Sequence, residues 1–241
     1  MCFSVNVNLV KEELENRYGA SLIDPDKYRP SYYYHAFAFP EMPVICQEDP
    51  KHIKLFTWGL IPSHTLDSDE AHEIRSKTFN ARAESLKSRK TFALSYESKR
   101  CLVPVRGFYE WQHKGSDKIP WYIYHSENQI ISLAGLYDQW IVSESGEVFN
   151  TFSIITTEAN KMMAEIHNST RRMPAILETE FEKIWLNPDI HERELRSLLG
   201  PLRENILGAH TVSPLVNSRV ADKNTADVIK PYNYNIQGSL F

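Results

Sequence analysis

The first residues after the initiator alternate. In "FSVNVNL", Phe3, Val5, Val7 and Leu9 are apolar while Ser4, Asn6 and Asn8 are polar, the period-two pattern of a strand with one buried face. "VKEELENRYG" then predicts a short helix stopped by Gly19. Strand-like apolar runs return at "SYYYHAFAF", "HIKLFTW", "CLVPV", "GFYEWQ", "PWYIYH", "IISLAGLY" and "VFNTFSIIT", with "HKGSDK" read as a hairpin loop between two of them. Helical periodicity appears late, over Glu158–Ile166, Glu178–Leu186 and His191–Leu199, with Thr157 as the N-cap of the first. Many strands and few helices predict an α+β fold: one domain with a mainly antiparallel, barrel-like β core and a few peripheral helices. The domain is expected over residues 1–230, with 231–241 as a C-terminal tail.

A chain of 241 residues, 42% apolar and 24% charged, has the composition of an ordinary globular protein and is long enough to bury a large core. No stretch approaches the apolar length of a membrane span, and the N-terminus lacks the basic and apolar regions of a signal peptide. Cys2, Cys46 and Cys101 are an odd number, far apart in sequence and without a CxxC pair, so a reducing cytoplasm is expected rather than a disulfide framework. The nine histidines form no HExxH motif and no i, i+4 pair, so no metal site is expected, and no cofactor. The net charge is −4, but Arg75–Arg106 carries nine basic residues against two acidic ones, a local balance of +7. Such a run is either a solvated face or a patch for a phosphate backbone.

Candidate chemistry starts at Cys2. Removal of Met1 would leave an α-amine and a thiol on adjacent carbons. The amine's ordinary pKa, about 8, leaves a nucleophilic fraction at neutral pH, and the thiolate is a strong nucleophile. An aldehyde condensing with this pair closes a thiazolidine ring. Further along come "TWGLIP" (57–62), "FNARAESL" (79–86), "CLVPVRGFYEW" (101–111), "AGLYD" (134–138), "FSIITTEAN…IHNSTRRMPAIL" (152–177) and "HTVSPLVN" (210–217). This ordered set, with Cys at position two, resembles the SRAP family of SOS-response-associated peptidases, or abasic-site processing proteins, from Cys2 to about Asn217.

The resemblance implies that the chain binds single-stranded DNA and captures abasic sites, whose opened sugar presents an aldehyde, as a shielding thiazolidine crosslink. It also implies self-removal of Met1, hence an autocatalytic peptidase step and a possible lyase or hydrolase classification. Residue by residue, Cys2 matches the nucleophile and Asn80 the asparagine that holds the N-terminus and sugar. Glu110 matches the catalytic glutamate that shuttles protons, and His167 the active-site histidine. Arg82 matches a phosphate-contacting arginine. Arg172 aligns with a second one through Met173-Pro174, although Arg171 could substitute. Glu84 is expected to bond within the fold. Trp58, Trp111, Trp121 and Tyr109 could stack unpaired bases, with Trp58 the leading candidate. Two departures stand out. Phe3 and Ser4 follow Cys2 where the family has Gly-Arg, and three extra residues separate His167 from Arg172.

Two other readings stay open. An N-terminal-nucleophile amidohydrolase such as a glutaminase also begins Met-Cys, though no glutamine-binding motif is seen. A non-catalytic single-strand DNA-binding module would leave Cys2 inert. The expected protein is a cytoplasmic monomer, nucleoid-associated in a bacterium. Its last residues, Gln237, Leu240 and Phe241 of "QGSLF", resemble the short peptide that docks on the DNA sliding clamp, two apolar anchors behind a glutamine.

Overall fold

In the computed structural model, which describes residues 2–234, the alternating segment forms strand β1 (Ser4–Val7). It is followed by helix α1 (Lys11–Tyr18), β2 (Ser21–Leu22) and β3 (Ser31–His35). Next come the hairpin of β4 (Glu41–Cys46) and β5 (His52–Trp58), then α2 (Ser68–Arg75), β6 (Asn80–Arg82) and α3 (Lys90–Ser98). Five long strands run in succession: β7 (Arg100–Val105), β8 (Gly107–Lys114), β9 (Asp117–His125), β10 (Ile131–Ile141) and β11 (Val148–Glu158). The chain continues through α4 (Lys161–Ile166), β12 (Arg172–Pro174), β13 (Ile176–Leu177), α5 (Thr179–Trp185), α6 (Glu192–Ser197) and β14 (Leu207–Thr211).

Strands β11, β10, β7, β4 and β5 are antiparallel neighbours, and β5 closes on β11 in parallel through Thr57 opposite Thr151 and Trp58 opposite Phe152. The result is a five-stranded barrel. Closure leaves these strands no free edge and buries large side chains inside, with Trp58 stacked on Phe152 at 6.1 Å. A second, antiparallel sheet, β14–β9–β8–β1–β3, lies beside it. Its outer face carries Tyr109 and Tyr122, covered by Val212, Val216 and Val228 from the segment after β14. The fold is therefore the single α+β domain with a barrel core that the pattern predicts. Pro231 bridges Val212, and the Tyr234 hydroxyl donates to the Val212 carbonyl at 2.9 Å, so residues 231–234 are seated on the domain. The clamp-like residues Gln237, Leu240 and Phe241 lie outside the described residues. Among those described, no helix is long and apolar enough to cross a membrane.

Several elements differ from expectation for local reasons. Helix α1 ends as predicted: Gly19 is left-handed, φ 60°, and its N–H closes on Glu15. Helix α2 lacks an apolar stripe, burying only Ala71, and is started by Asp67, whose carboxylate accepts from the Glu70 N–H at 2.8 Å. The cap of α4 is Asn160, not Thr157: its Oδ1 accepts from the Met163 N–H at 3.0 Å, while β11 runs on through Glu158. The "HKGSDK" loop shrinks to a tight turn at Gly115, φ 60°, because β8 and β9 stay paired out to Lys114 and Asp117.

Candidate functional site

Three elements and the N-terminal segment bring the predicted residues together. Strand β6 adds in parallel to the edge of β11, which places Asn80 opposite Ile154. Its side-chain Nδ2 donates to the Cys2 carbonyl at 2.9 Å, tying the N-terminal segment to the barrel. Cys2 itself is 1% exposed, its Sγ 4.0 Å from the Ser4 carbonyl. Strand β8 carries Glu110 on the face opposite Tyr109, also buried. Helix α4 ends at His167, whose Nε2 lies 3.8 Å from a Glu110 carboxylate oxygen. Cys2, Asn80, Glu110 and His167 thus converge.

The electrostatics of this cluster follow from burial. With no water to solvate its charge, the Glu110 carboxyl is pushed up to about 8, so it is protonated at neutral pH. Burial lowers the His167 pKa. The pair is therefore a neutral acid beside a neutral imidazole, and the proton sits on Glu110. The His167 tautomer is set by its partners: Nδ1 faces the Arg172 carbonyl at 2.8 Å, which can only accept. Nδ1 therefore carries the hydrogen, and Nε2 accepts from the Thr170 hydroxyl at 3.0 Å. Burial, and secondarily the Glu110 charge, raises the Cys2 thiol pKa, keeping it protonated until a base takes its proton.

The three extra residues before Arg172 form a turn. Asn168 and the His113 backbone exchange two hydrogen bonds, at 2.9 and 2.8 Å, and Arg171 takes the left-handed conformation, φ 51°. This turn delivers Thr170 to His167, a contact that no motif announces. Its only trace in the sequence is the polar insertion "NST" itself.

The two neighbouring arginines have opposite fates. Arg172 is buried and reaches both Glu84 oxygens, at 2.5 and 3.0 Å, and the Thr156 carbonyl at 2.6 Å. Glu84 bonds within the fold as expected, and Arg172 clamps the turn after β6 onto β11. Arg171 and Arg82 are exposed. Trp58 is not the expected stacking surface: it has no exposed area, and its Nε1 donates to the Phe79 carbonyl at 2.8 Å, so neither ring face can meet a base. Trp111 is only half-buried, and its Nε1 donates to Asn217.

The basic run does not form one patch either. Arg100 is buried among the carbonyls of Tyr96, Glu97, Trp185 and Asn187. Lys77, Lys87, Lys99 and Arg106 pair with Glu73, Glu192, Asp138 and Glu13. Most of the +7 is thus neutralised by partners outside the run.

The SRAP (SOS response associated peptidase) family model matches residues 1–219, almost the whole chain, and the chain belongs to that family. It is 41% identical over 163 residues to the abasic site processing protein YoqW of Bacillus subtilis (strain 168), covering 67% of this chain and 69% of that one. The abasic site processing protein HMCES of Xenopus tropicalis is 32% identical over 224 residues, 81% of this chain and 64% of its own. Among solved structures, a crystal structure of a protein from Bacteroides thetaiotaomicron superposes with a TM-score of 0.90 at 35% identity, over 96% of this chain and 100% of that one.

Proposed function

We propose that this chain processes abasic sites in single-stranded DNA, capturing them covalently through Cys2 after removal of Met1. The observation that carries this reading is the Asn80 amide on the Cys2 carbonyl, with a protonated Glu110 and a neutral His167 beside it. The names of the relatives add the substrate class.

The Cys2 amine adds to the C1′ aldehyde of the opened sugar, giving a carbinolamine. Glu110 donates a proton to the departing hydroxyl, which leaves as water, and an iminium remains. The Cys2 sulfur adds to C1′, and the five-membered ring closes as the thiol proton returns to the Glu110 carboxylate. The net change is aldehyde plus aminothiol to thiazolidine plus one water. His167, held neutral with its Nε2 lone pair facing Thr170 and Glu110, is suited to relay the proton. Of the three matched arginines, Arg82 and Arg171 are available to phosphates, with Arg172 supporting the site from behind. The clamp-like tail, Gln237 with Leu240 and Phe241, would tether this activity to replicating DNA by raising local concentration.

Intact mass spectrometry tests both halves of the reading. The purified protein should lack Met1, and incubation with an abasic oligonucleotide should add the mass of that strand minus one water. Full retention of Met1 in a protein that crosslinks would refute the aminothiol step.

A further inference from the structure

Beside the Cys2 site, strand β3 and the turn after it carry aromatic rings at every second residue. Tyr33 and His35 are stacked, 6.2 Å apart at 18°, and His35 lies 5.5 Å from Phe37. Phe37 is 5.5 Å from Phe3 and 4.8 Å from Phe79. Phe3 follows Cys2 in the chain and Phe79 precedes Asn80, so this row of rings begins at the nucleophile. It is also held in place. The His35 Nδ1–H donates to the Phe3 carbonyl at 3.1 Å and lies 3.0 Å from the Ser4 hydroxyl, which donates to the Tyr33 hydroxyl at 3.0 Å. Phe3 and Ser4, the two residues that depart from the family's Gly-Arg, therefore build the row.

The row is not spent on the core. Phe37 is 56% exposed and His35 is exposed. A cleft of about 430 Å3 opens at its far end, lined by Tyr33, His35, Trp111, Asn217 and Lys223. Cations sit at both ends: the Arg75 guanidinium over Phe39 at 3.9 Å, and the Lys223 ammonium over Tyr33 at 4.7 Å. Among the described residues no carboxylate acts on either cation, and desolvation alone lowers the pKa of each. The rings packed against the His35 imidazole partly desolvate it and lower its pKa, which favours stacking over charge.

A row of presented rings with a cation at each end, starting at the crosslinking residue, matches an unpaired strand: every base has a π-face and every linkage a negative charge. We propose that Phe3, Phe37, His35 and Tyr33 form a track on which the unpaired bases on one side of the abasic nucleotide stack, leading to the cleft at Trp111. This rests on the abasic-DNA reading and adds the residues that grip the flanking strand.

The test measures binding by fluorescence anisotropy, using strands that carry a non-reactive tetrahydrofuran unit in place of the abasic sugar, so that affinity is read without crosslinking. Phe37→Ala should bind a strand with ordinary flanking bases at least about 5-fold more weakly than wild type, the lower end for one base–aromatic stack. The difference should vanish when three nucleotides on one side are also made baseless, and Phe37→Trp should restore affinity. Equal binding by both proteins, or an equal loss on the baseless strand, would overturn the track. So would a change in sedimentation coefficient between wild type and Phe37→Ala without DNA, since the occupant would then be a second copy. Crosslinking to true abasic strands is scored separately: adduct without base-dependent binding leaves the capture chemistry standing and removes the track, and the converse removes only the chemistry.

Discussion

Glu110→Gln should make the protein more stable and less active, and both effects can be sized. The carboxyl titrates near 4.5 when exposed and at about 8 when buried in the site. Below pH 4.5 it is protonated in both the folded and unfolded chain, and it costs the fold nothing. Between 4.5 and about 8 the unfolded chain has lost this proton while the folded chain keeps it, so stability falls as pH rises. At 1.36 kcal/mol per pH unit the deficit reaches about 3 kcal/mol at pH 7 and levels off at about 5 kcal/mol above pH 8. Glutamine is neutral throughout and escapes this penalty. Urea titrations of both proteins at pH 4.5, 7 and 9 should therefore show a gap in favour of Glu110→Gln that is small at pH 4.5, opens by pH 7 and is widest at pH 9. The variant should also crosslink abasic DNA some 10²-fold more slowly, the low end for a lost general acid, and the wild-type rate should fall above pH 8. A stability gap independent of pH would refute the raised pKa. Crosslinking at the wild-type rate would refute the shuttle while leaving the electrostatics intact.

The remaining expectations concern the residues around it. Asn80→Ala removes the donor to the Cys2 carbonyl, costing about 1 kcal/mol of stability; single-turnover assays should show slowed crosslinking, and an unchanged rate would mean that the amide does not hold the reactive terminus. Arg82→Ala and Arg171→Ala should each flatten the slope of log K against log salt by about 0.7 on single-stranded DNA. Arg172→Ala should instead lower the unfolding free energy by about 2 kcal/mol through loss of charged hydrogen bonds while leaving that slope alone. Trp58→Phe should leave DNA affinity unchanged, and Trp58→Ala should destabilise the barrel by about 3–5 kcal/mol, both measurable by anisotropy and denaturant titration.

What could be read from the chain beforehand was local. Alternation in "FSVNVNL" fixes β1, and the motifs around Cys2, Asn80, Glu110 and His167 identify residues that the fold then gathers from the N-terminal segment, β6, β8 and the end of α4. Non-local facts left little trace. The parallel contact of β5 with β11 closes the barrel between residues distant in sequence, and that closure is what buries Trp58. Arg171 and Arg172 are the same residue type side by side, separated only by a left-handed backbone turn that sends one outward and the other inward onto Glu84. The basic run looks like a patch in one dimension, but Asp138, Glu13 and Glu192 arrive from elsewhere to neutralise it. Cys46 and Cys101, distant in sequence, face each other across β4 and β7, both buried and free.

If Cys2 is the group joined to DNA, a denaturing gel of wild type and Cys2→Ala with an abasic single-stranded oligonucleotide will separate the two proteins. Wild type should give a slow-migrating adduct and Cys2→Ala none, with both proteins retaining their affinity for non-reactive strands. An undiminished adduct from Cys2→Ala would contradict that assignment, because the bond would then come from another amine and the buried aminothiol site would have no part in the capture.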